Sequence, residues 1–264
     1  MSSESFAQER EQTVGLLSSN MEARAEAQKT KHYKSLYTFT TSVGVGTLIL
    51  MVFWILHYRG GFSWNTKPDQ QFYWHPYLMF LGMLFLYSQS MLVYRTYRTS
   101  AKKNLKLAHA GIHFLAFILS VIGLKAVFDS HNYAKPPIPN LYTLHSWIGL
   151  ITVIIFSIQF LAGFVTFLYP GLAGSIRKAA MPVHTAFGTG LFVLALVAAI
   201  SGIMEKAIWT LKNEYADFRA EGVVFNFMGI FIALYGVLVL YLVNESDYKR
   251  APLPEDQIAL SHSE

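Results

Sequence analysis

Lys106-Leu-Ala-His109-Ala-Gly-Ile-His113 opens an apolar stretch that continues to about Phe128. The stretch is close to the ~20 residues that a membrane-spanning helix needs. Ionisable side chains at membrane depth are costly, so they usually face the interior of a helix bundle and mark a pathway or a ligand. The stretch therefore predicts a transmembrane helix with a functional histidine on its inner face.

Six apolar segments of this kind follow one another along the chain, at residues 36–57, 72–94, 107–128, 141–169, 179–204 and 223–243. They are too long for strands and do not alternate between apolar and polar residues. With 53% hydrophobic and 14% charged residues, the composition is also that of a membrane protein. We expect an all-α membrane protein in which residues 36–245 form six transmembrane helices, between a disordered tail at 1–35 and a second tail at 246–264.

The distribution of cations predicts the orientation in the bilayer. Fourteen of the 21 lysine and arginine residues lie on the side that carries both termini, and seven lie on the other side. Cytoplasmic loops are enriched in these residues, so both termini are expected in the cytoplasm. The net charge of +5 then reflects this placement, and no nucleic-acid partner is expected. The absence of cysteine excludes disulfides and cysteine-bound iron–sulfur clusters.

Four histidines lie at matched depths in the central spans. His75 and His145 are in the first two turns of spans two and four, which begin on the outer face. His109 and His184 are in the first two turns of spans three and five, which begin in the cytoplasm. A single histidine in a helix is more often a hydrogen-bonded core residue than a ligand. Four at matched depths instead predict two opposed pairs, one near each face of a bundle formed by spans two to five.

Two imidazoles opposed across a helix bundle suit the two axial positions of a haem. Gly149 and Gly188 each follow a candidate ligand by four residues and so lie on the same helical face. They could make room for a porphyrin, although glycine also serves helix packing in membranes. With both axial positions filled, such a haem is suited to electron transfer and has no open position for oxygen chemistry.

Cations and a further histidine lie near the two predicted pairs. Lys106, Arg177 and Arg95 are expected to converge above the cytoplasmic pair and attract an anionic reductant. Loop cations on the cytoplasmic side also occur without such a role. On the outer side, His131 is expected in the loop before span four, where it could accept a proton or contact a metal ion.

Two blocks of sequence resemble a known family. Leu141-Tyr142-Thr143-Leu144-His145-Ser146-Trp147-Ile148-Gly149 is close to the Leu-Tyr-Ser-Leu-His-Ser-Trp block of the cytochrome b561 proteins, and Met91-Leu-Val-Tyr94-Arg95-Thr-Tyr-Arg98 is similar to their second span end. Lys106-Leu-Ala-His109-Ala-Gly and Met181-Pro182-Val-His184 fit as well. The resemblance covers residues 36–245. These proteins are transmembrane ascorbate-dependent oxidoreductases.

The resemblance implies two b-type haems, bound by His75 with His145 and by His109 with His184. It also implies that Lys106, Arg177 and Arg95 contact ascorbate, and that His131 lies beside the outer substrate. Tyr142 matches the conserved block and is assigned to substrate binding, on the route to the inner site. His113 is not a ligand in the family pattern and is expected to pack beside the inner haem.

The expected function is therefore transmembrane electron transfer from cytoplasmic ascorbate, through two haem b groups, to monodehydroascorbate or a ferric chelate on the other side. The resemblance further implies a homodimer. The membrane is expected to be that of an endomembrane vesicle, of a lysosome-like organelle or of the cell surface. One alternative is a histidine-lined transporter for protons or metal ions, without haem. Another is a haem-binding membrane scaffold that ascorbate does not reduce.

Overall fold

The protein is almost entirely helical. The computed structural model describes residues 13–15, 17–18, 32–64 and 67–251, and these contain no strand. Six helices in this part of the chain are long and apolar enough to cross a membrane, namely α1 Tyr33–Arg59, α2 Pro68–Thr96, α3 Lys102–Asn132, α4 Leu144–Leu168, α5 Gly174–Leu211 and α6 Ala220–Asn244. The predicted all-α membrane protein with six spans is confirmed.

Several helices extend beyond the apolar segments that predicted them. Helix α3 begins before residue 107 and ends after residue 128, and the Tyr133 amide still donates to Asp129 O at 3.0 Å. Backbone hydrogen bonds continue wherever the chain keeps helical geometry, whether the side chains are apolar or not. His131 therefore lies in the last turn of α3, and the expectation that it is in a loop is wrong.

Helices α2, α3, α4 and α5 form a closed ring of neighbours. Helices α1 and α6 pack against each other outside this ring, with α6 resting on α5 and α2. This arrangement agrees with the predicted central bundle of spans two to five. We call the end where α1 begins and α6 ends the terminal end, and the other the opposite end.

Both ends of the α1/α6 pair are tied to their surroundings. At the opposite end, Trp54 Nε1 and Arg59 Nε donate to the same oxygen of Glu221, at 2.8 and 2.7 Å. At the terminal end, the Tyr33 hydroxyl lies 2.8 Å from Thr96 Oγ1, and its ring packs edge-on against Tyr248. These contacts join helices that are distant in sequence.

The segment that follows α6 packs against the terminal end of the bundle. A 3-10 turn at Ser246–Tyr248 places Tyr248 in a buried cluster with Tyr33, Leu92 and Leu242. The expected disordered tail at 1–35 lies mostly outside the described residues, as does the end of the expected tail at 246–264. Residues 246–251 of the expected second tail pack against the end of the bundle.

The outer face of the bundle is apolar. On α4, Ile154, Ile158 and Leu161 are 49%, 60% and 63% exposed, and their spacing places them on one face of the helix. A contiguous apolar stripe of this kind is unfavourable in water and suits contact with lipid chains. The protein is an integral, multi-pass membrane protein.

Candidate functional site

The first histidine pair lies at the opposite end of the bundle. His75 from α2 and His145 from α4 have ring centres 6.1 Å apart, with an angle of 85° between the ring planes. His75 Nδ1 is 3.1 Å from Gly123 O, and His145 Nδ1 is 2.8 Å from Ala198 O. A carbonyl oxygen only accepts hydrogen bonds, so each Nδ1 carries the proton. The lone pair of each Nε2 is then available to a metal ion.

Local structure fixes the position of His145. Thr143 caps the N-terminus of α4: its Oγ1 accepts from the Ser146 amide at 3.3 Å, and its own amide donates to Ser146 Oγ at 3.1 Å. This reciprocal capping box sets where the helix begins, so His145 falls in the first turn. Thr143 Oγ1 also donates to Glu205 on α5 at 3.2 Å, which ties this turn to the neighbouring helix.

The second pair lies at the terminal end. His109 from α3 and His184 from α5 have ring centres 6.2 Å apart at 67°. His109 Nδ1 is 3.0 Å from Ser90 O, which again leaves Nε2 available. His184 packs edge-on against Phe167 at 5.2 Å. The structure thus brings together both pairs that the matched depths predict.

The distances within the pairs fit two axial ligands of one metal ion. Each bond from a histidine nitrogen to a metal is ~2.0 Å long, so two imidazoles on opposite sides of one ion place their ring centres roughly 6 Å apart. Among the residues described, no group of three or more histidine, cysteine or carboxylate side chains could hold a metal ion. A macrocycle that supplies the other ligands is the cofactor that two histidines suit. The residues present therefore fit a haem at each pair.

Glycines on facing helices make room for the rings of two of these histidines. A Cβ on Gly202 of α5 would lie 2.6 Å from His145 Cε1, and one on Gly163 of α4 would lie 3.1 Å from His184 Cε1. Sequence spacing indicated Gly149 and Gly188 instead. Gly149 lines the opposite-end cavity, and Gly188 lines the terminal-end cavity. The amide of Gln159 and the hydroxyl of Tyr87 also approach Gly188.

Each pair lies in its own cavity, lined mainly by apolar side chains. The cavity at the terminal end has a volume of about 470 Å³ and contains His113 as well as His109 and His184. His113 is 8% exposed, and its ring centre is 4.6 Å from that of His109. It lies beside the pair, as expected. The cavity at the opposite end has a volume of about 170 Å³ around His75 and His145.

The three predicted reductant contacts are placed differently. Lys106 lines the terminal-end cavity and donates from Nζ to Phe167 O at 3.2 Å. Arg177 is half-buried and close enough to repel the Lys106 ammonium electrostatically, but it does not line the cavity. Arg95 points elsewhere: its guanidinium donates to Glu245 O at 2.6 Å and to Val243 O. These carbonyls lie at the C-terminus of α6, where they lack partners within the helix and the helix dipole favours a cation.

His131 and Tyr142, the other two predicted substrate contacts, both line the opposite-end cavity. His131 does so at the end of α3, with Nδ1 3.1 Å from Asn140 Oδ1. Tyr142 stacks on Trp209 at 6.0 Å between ring centres. The expectation that Tyr142 lies on the route to the inner pair is therefore wrong. It lies two residues before Leu144, where α4 begins at the opposite end.

Sequence reasoning missed several polar residues of the two cavities. Lys102 and Arg250 line the terminal-end cavity, and Lys206 and Glu205 line the opposite-end one. Lys102 is one helical turn before Lys106, so helical spacing could have identified it. Arg250 lies in a segment treated as a tail, and no sequence pattern linked it to α3. Partial burial lowers the pKa of the guanidinium of Arg98, whose carbonyl accepts a hydrogen bond from Arg250. An arginine nevertheless stays protonated near neutral pH.

Comparison with known proteins decides the family. Residues 74–210 match the model of the eukaryotic cytochrome b561 proteins, and this range contains all four paired histidines. The chain belongs to this family. Membership makes this cytochrome b561 protein an oxidoreductase and implies haem b as its cofactor.

Individual relatives cover most of the cytochrome b561 chain. It is 41% identical to the bovine lysosomal membrane ascorbate-dependent ferrireductase CYB561A3, over 79% of this chain and 80% of the relative. It is 38% identical to the transmembrane ascorbate-dependent reductase CYB561 of Sus scrofa, over 84% and 86%. The human reductase of the same name is 35% identical, over 90% and 93%.

Proposed function

We propose that this protein transfers single electrons across a membrane. The donor is ascorbate in the cytoplasm, and the electrons pass through two haem b groups to monodehydroascorbate or a ferric chelate on the other side. One observation carries this proposal: each end of the bundle holds one histidine pair, with ring centres 6.1 and 6.2 Å apart. The names of the relatives support ascorbate as donor and iron among the acceptors.

His75 and His145 would hold a haem at one end, and His109 and His184 would hold one at the other. Each haem would supply one-electron oxidation and reduction. The protein holds the ligands rigidly. Ser90 O, Gly123 O and Ala198 O each accept a hydrogen bond from the Nδ1 of one of these histidines, which fixes the tautomer and the orientation of the ring.

Charge at the terminal end supports ascorbate as the donor there. Ascorbate is an anion near neutral pH, and Lys106 and Lys102 line the cavity beside His109 and His184. Cations on the cavity wall raise the local concentration of an anionic reductant. The cation distribution also supports a cytoplasmic location for this end. We therefore assign the terminal-end cavity to the donor.

The opposite end combines groups suited to an acceptor. The His131 imidazole can donate or accept a proton, and Tyr142 and Lys206 line the same cavity. An acceptor that gains an electron becomes more negative. A proton from His131 or the positive charge of Lys206 would stabilise that added negative charge. The name of the bovine relative places that protein in the lysosomal membrane, which supports an endomembrane location here.

The experiment is an absorbance spectrum of the purified full-length protein, before and after addition of ascorbate, with haem counted per chain. We expect two haems per chain and the sharp visible bands of reduced low-spin haem once ascorbate is added. A colourless protein would instead indicate the histidine-lined transporter. A protein with haem that ascorbate leaves oxidised would indicate the scaffold. Either result, or fewer than two haems, would overturn the proposal.

A further inference from the structure

We propose that Arg250, in the segment that follows α6, contacts the anionic reductant in the terminal-end cavity. This inference rests on the proposed function and adds a contact that comes from outside the six spans. Arg250 lines the cavity together with His109, His184 and Lys106. The substrate site then has a wall formed by the chain after the last helix.

The segment that carries Arg250 has a defined position. Arg95 donates to Glu245 O at 2.6 Å, and Arg98 donates to Asp247 O at 3.2 Å. Tyr248 is 6% exposed and packs on Tyr33 with ring centres 5.1 Å apart. These contacts hold the segment against the ends of α1 and α2. They turn the chain back towards the cavity just before Arg250.

Hydrogen bonds also orient the Arg250 side chain. Its Nε donates to Arg98 O at 3.0 Å, and an Nη donates to Ser100 O at 3.2 Å. The guanidinium is also close enough to Tyr94 to interact electrostatically with the phenol. The ring of Tyr94 in turn lies 5.7 Å from that of His109. A charge that is held in place loses little entropy when it binds a ligand.

The two cations stand on different walls of the cavity. Lys106 belongs to α3, and its ammonium is tied to Phe167 O at the end of α4. Arg250 approaches from the side of α2 and the chain after α6. A guanidinium binds planar, delocalised anions through several N–H groups, whereas an ammonium acts as a point charge. Ascorbate, a planar ring with a delocalised negative charge, matches such a pair.

Substitution of Arg250 by glutamine tests the inference. Arg250→Gln removes the charge but keeps a side chain that donates hydrogen bonds. Lys249→Gln is the matched control, because Lys249 is the exposed neighbouring cation and does not line the cavity. The rate of haem reduction in the full-length protein is measured against ascorbate concentration and, separately, against an uncharged hydroquinone.

For Arg250→Gln, we expect the ascorbate concentration at half-maximal rate to rise roughly tenfold, the loss of one hydrogen bond to a charged group. Reduction by the hydroquinone and the haem content should stay unchanged, and Arg250→Lys should recover part of the loss. Lys249→Gln should behave as the wild type. An equal loss with both reductants would indicate a purely structural role and overturn the inference, as would no loss at all. A wild-type protein that ascorbate does not reduce would overturn the proposed function itself, and the inference with it.

Discussion

The rings of His109 and His184 lie 6.2 Å apart although they belong to α3 and α5, which are not consecutive in the chain. His75 and His145 are related in the same way, across α2 and α4. Each pair therefore joins alternate helices of the central ring. The two pairs share no helix, so the loss of one pair leaves the elements that carry the other pair intact.

Removal of one ligand should abolish binding at one end only. We expect His184→Ala to reduce the haem content from two per chain to one, because the remaining partner, His109, supplies a single axial ligand. His145→Ala should have the same effect on the other haem. Haem extraction and difference spectra of the purified variants measure both. His57→Ala is the control, since His57 is exposed and its ring packs against Phe53 and Tyr58 on α1. Loss of both haems in either ligand variant would contradict the separation of the two sites.

Neutralisation of the cations near His109 should affect the reductant more than the haem. We expect Lys106→Ala with Arg177→Ala to raise the ascorbate concentration at half-maximal rate at least tenfold, because two positive charges near the cavity are lost. The oxidised and reduced spectra should change little. Lys178→Ala is the matched control, an exposed cation beside Arg177. If the double variant keeps wild-type ascorbate kinetics, the donor site is not in this cavity.

The six spans and the two pairs could be predicted because both depend on periodic, local properties. Apolar runs of sufficient length predict spanning helices. Consecutive spans cross the membrane in opposite directions. The position of a histidine within its span therefore gives its depth in the membrane. The depth of His184 matches that of His109, and the family pattern also excludes His113 as a ligand, although both histidines lie in one cavity.

The remainder of the sites depends on contacts between distant segments. Arg95 has the position expected of a cavity cation, yet carbonyls at the end of α6 bind it. No sequence pattern around Arg250 indicates a cavity residue. It reaches the cavity because the chain turns back after Tyr248. Gly202 faces His145 because of how α5 packs on α4, which no spacing within one helix reveals. Such positions are set by tertiary packing.

The space beside His145 should be sensitive to one methyl group. In Gly202→Ala the new Cβ would lie 2.6 Å from His145 Cε1, and a ring held by a hydrogen bond to Ala198 O cannot move away without loss of that bond. We expect the haem content to fall towards one per chain, with the loss at the opposite end. Gly190→Ala on the same helix is the matched control, because nothing lies within 4 Å of its Cβ position. Equal haem contents in the two variants would contradict this account of Gly202.

The ion pair between α1 and α6 should contribute to stability and not to the redox chemistry. The Glu221 side chain is 11% exposed and accepts from both Arg59 and Trp54. Glu221→Gln replaces the carboxylate by an amide and leaves the Arg59 charge without its partner, a change that costs about 2 kcal/mol in a partly buried site. We expect a lower temperature of thermal unfolding, measured by the loss of haem absorbance, and unchanged ascorbate kinetics below the transition.

Glu214→Gln provides the comparison. Both side chains of the Glu214–Arg219 pair are 60% exposed, and a surface pair of this kind contributes about 0.5 kcal/mol or less. Similar unfolding temperatures for the two variants would show that the Arg59–Glu221 contact does not stabilise the packing of α1 on α6.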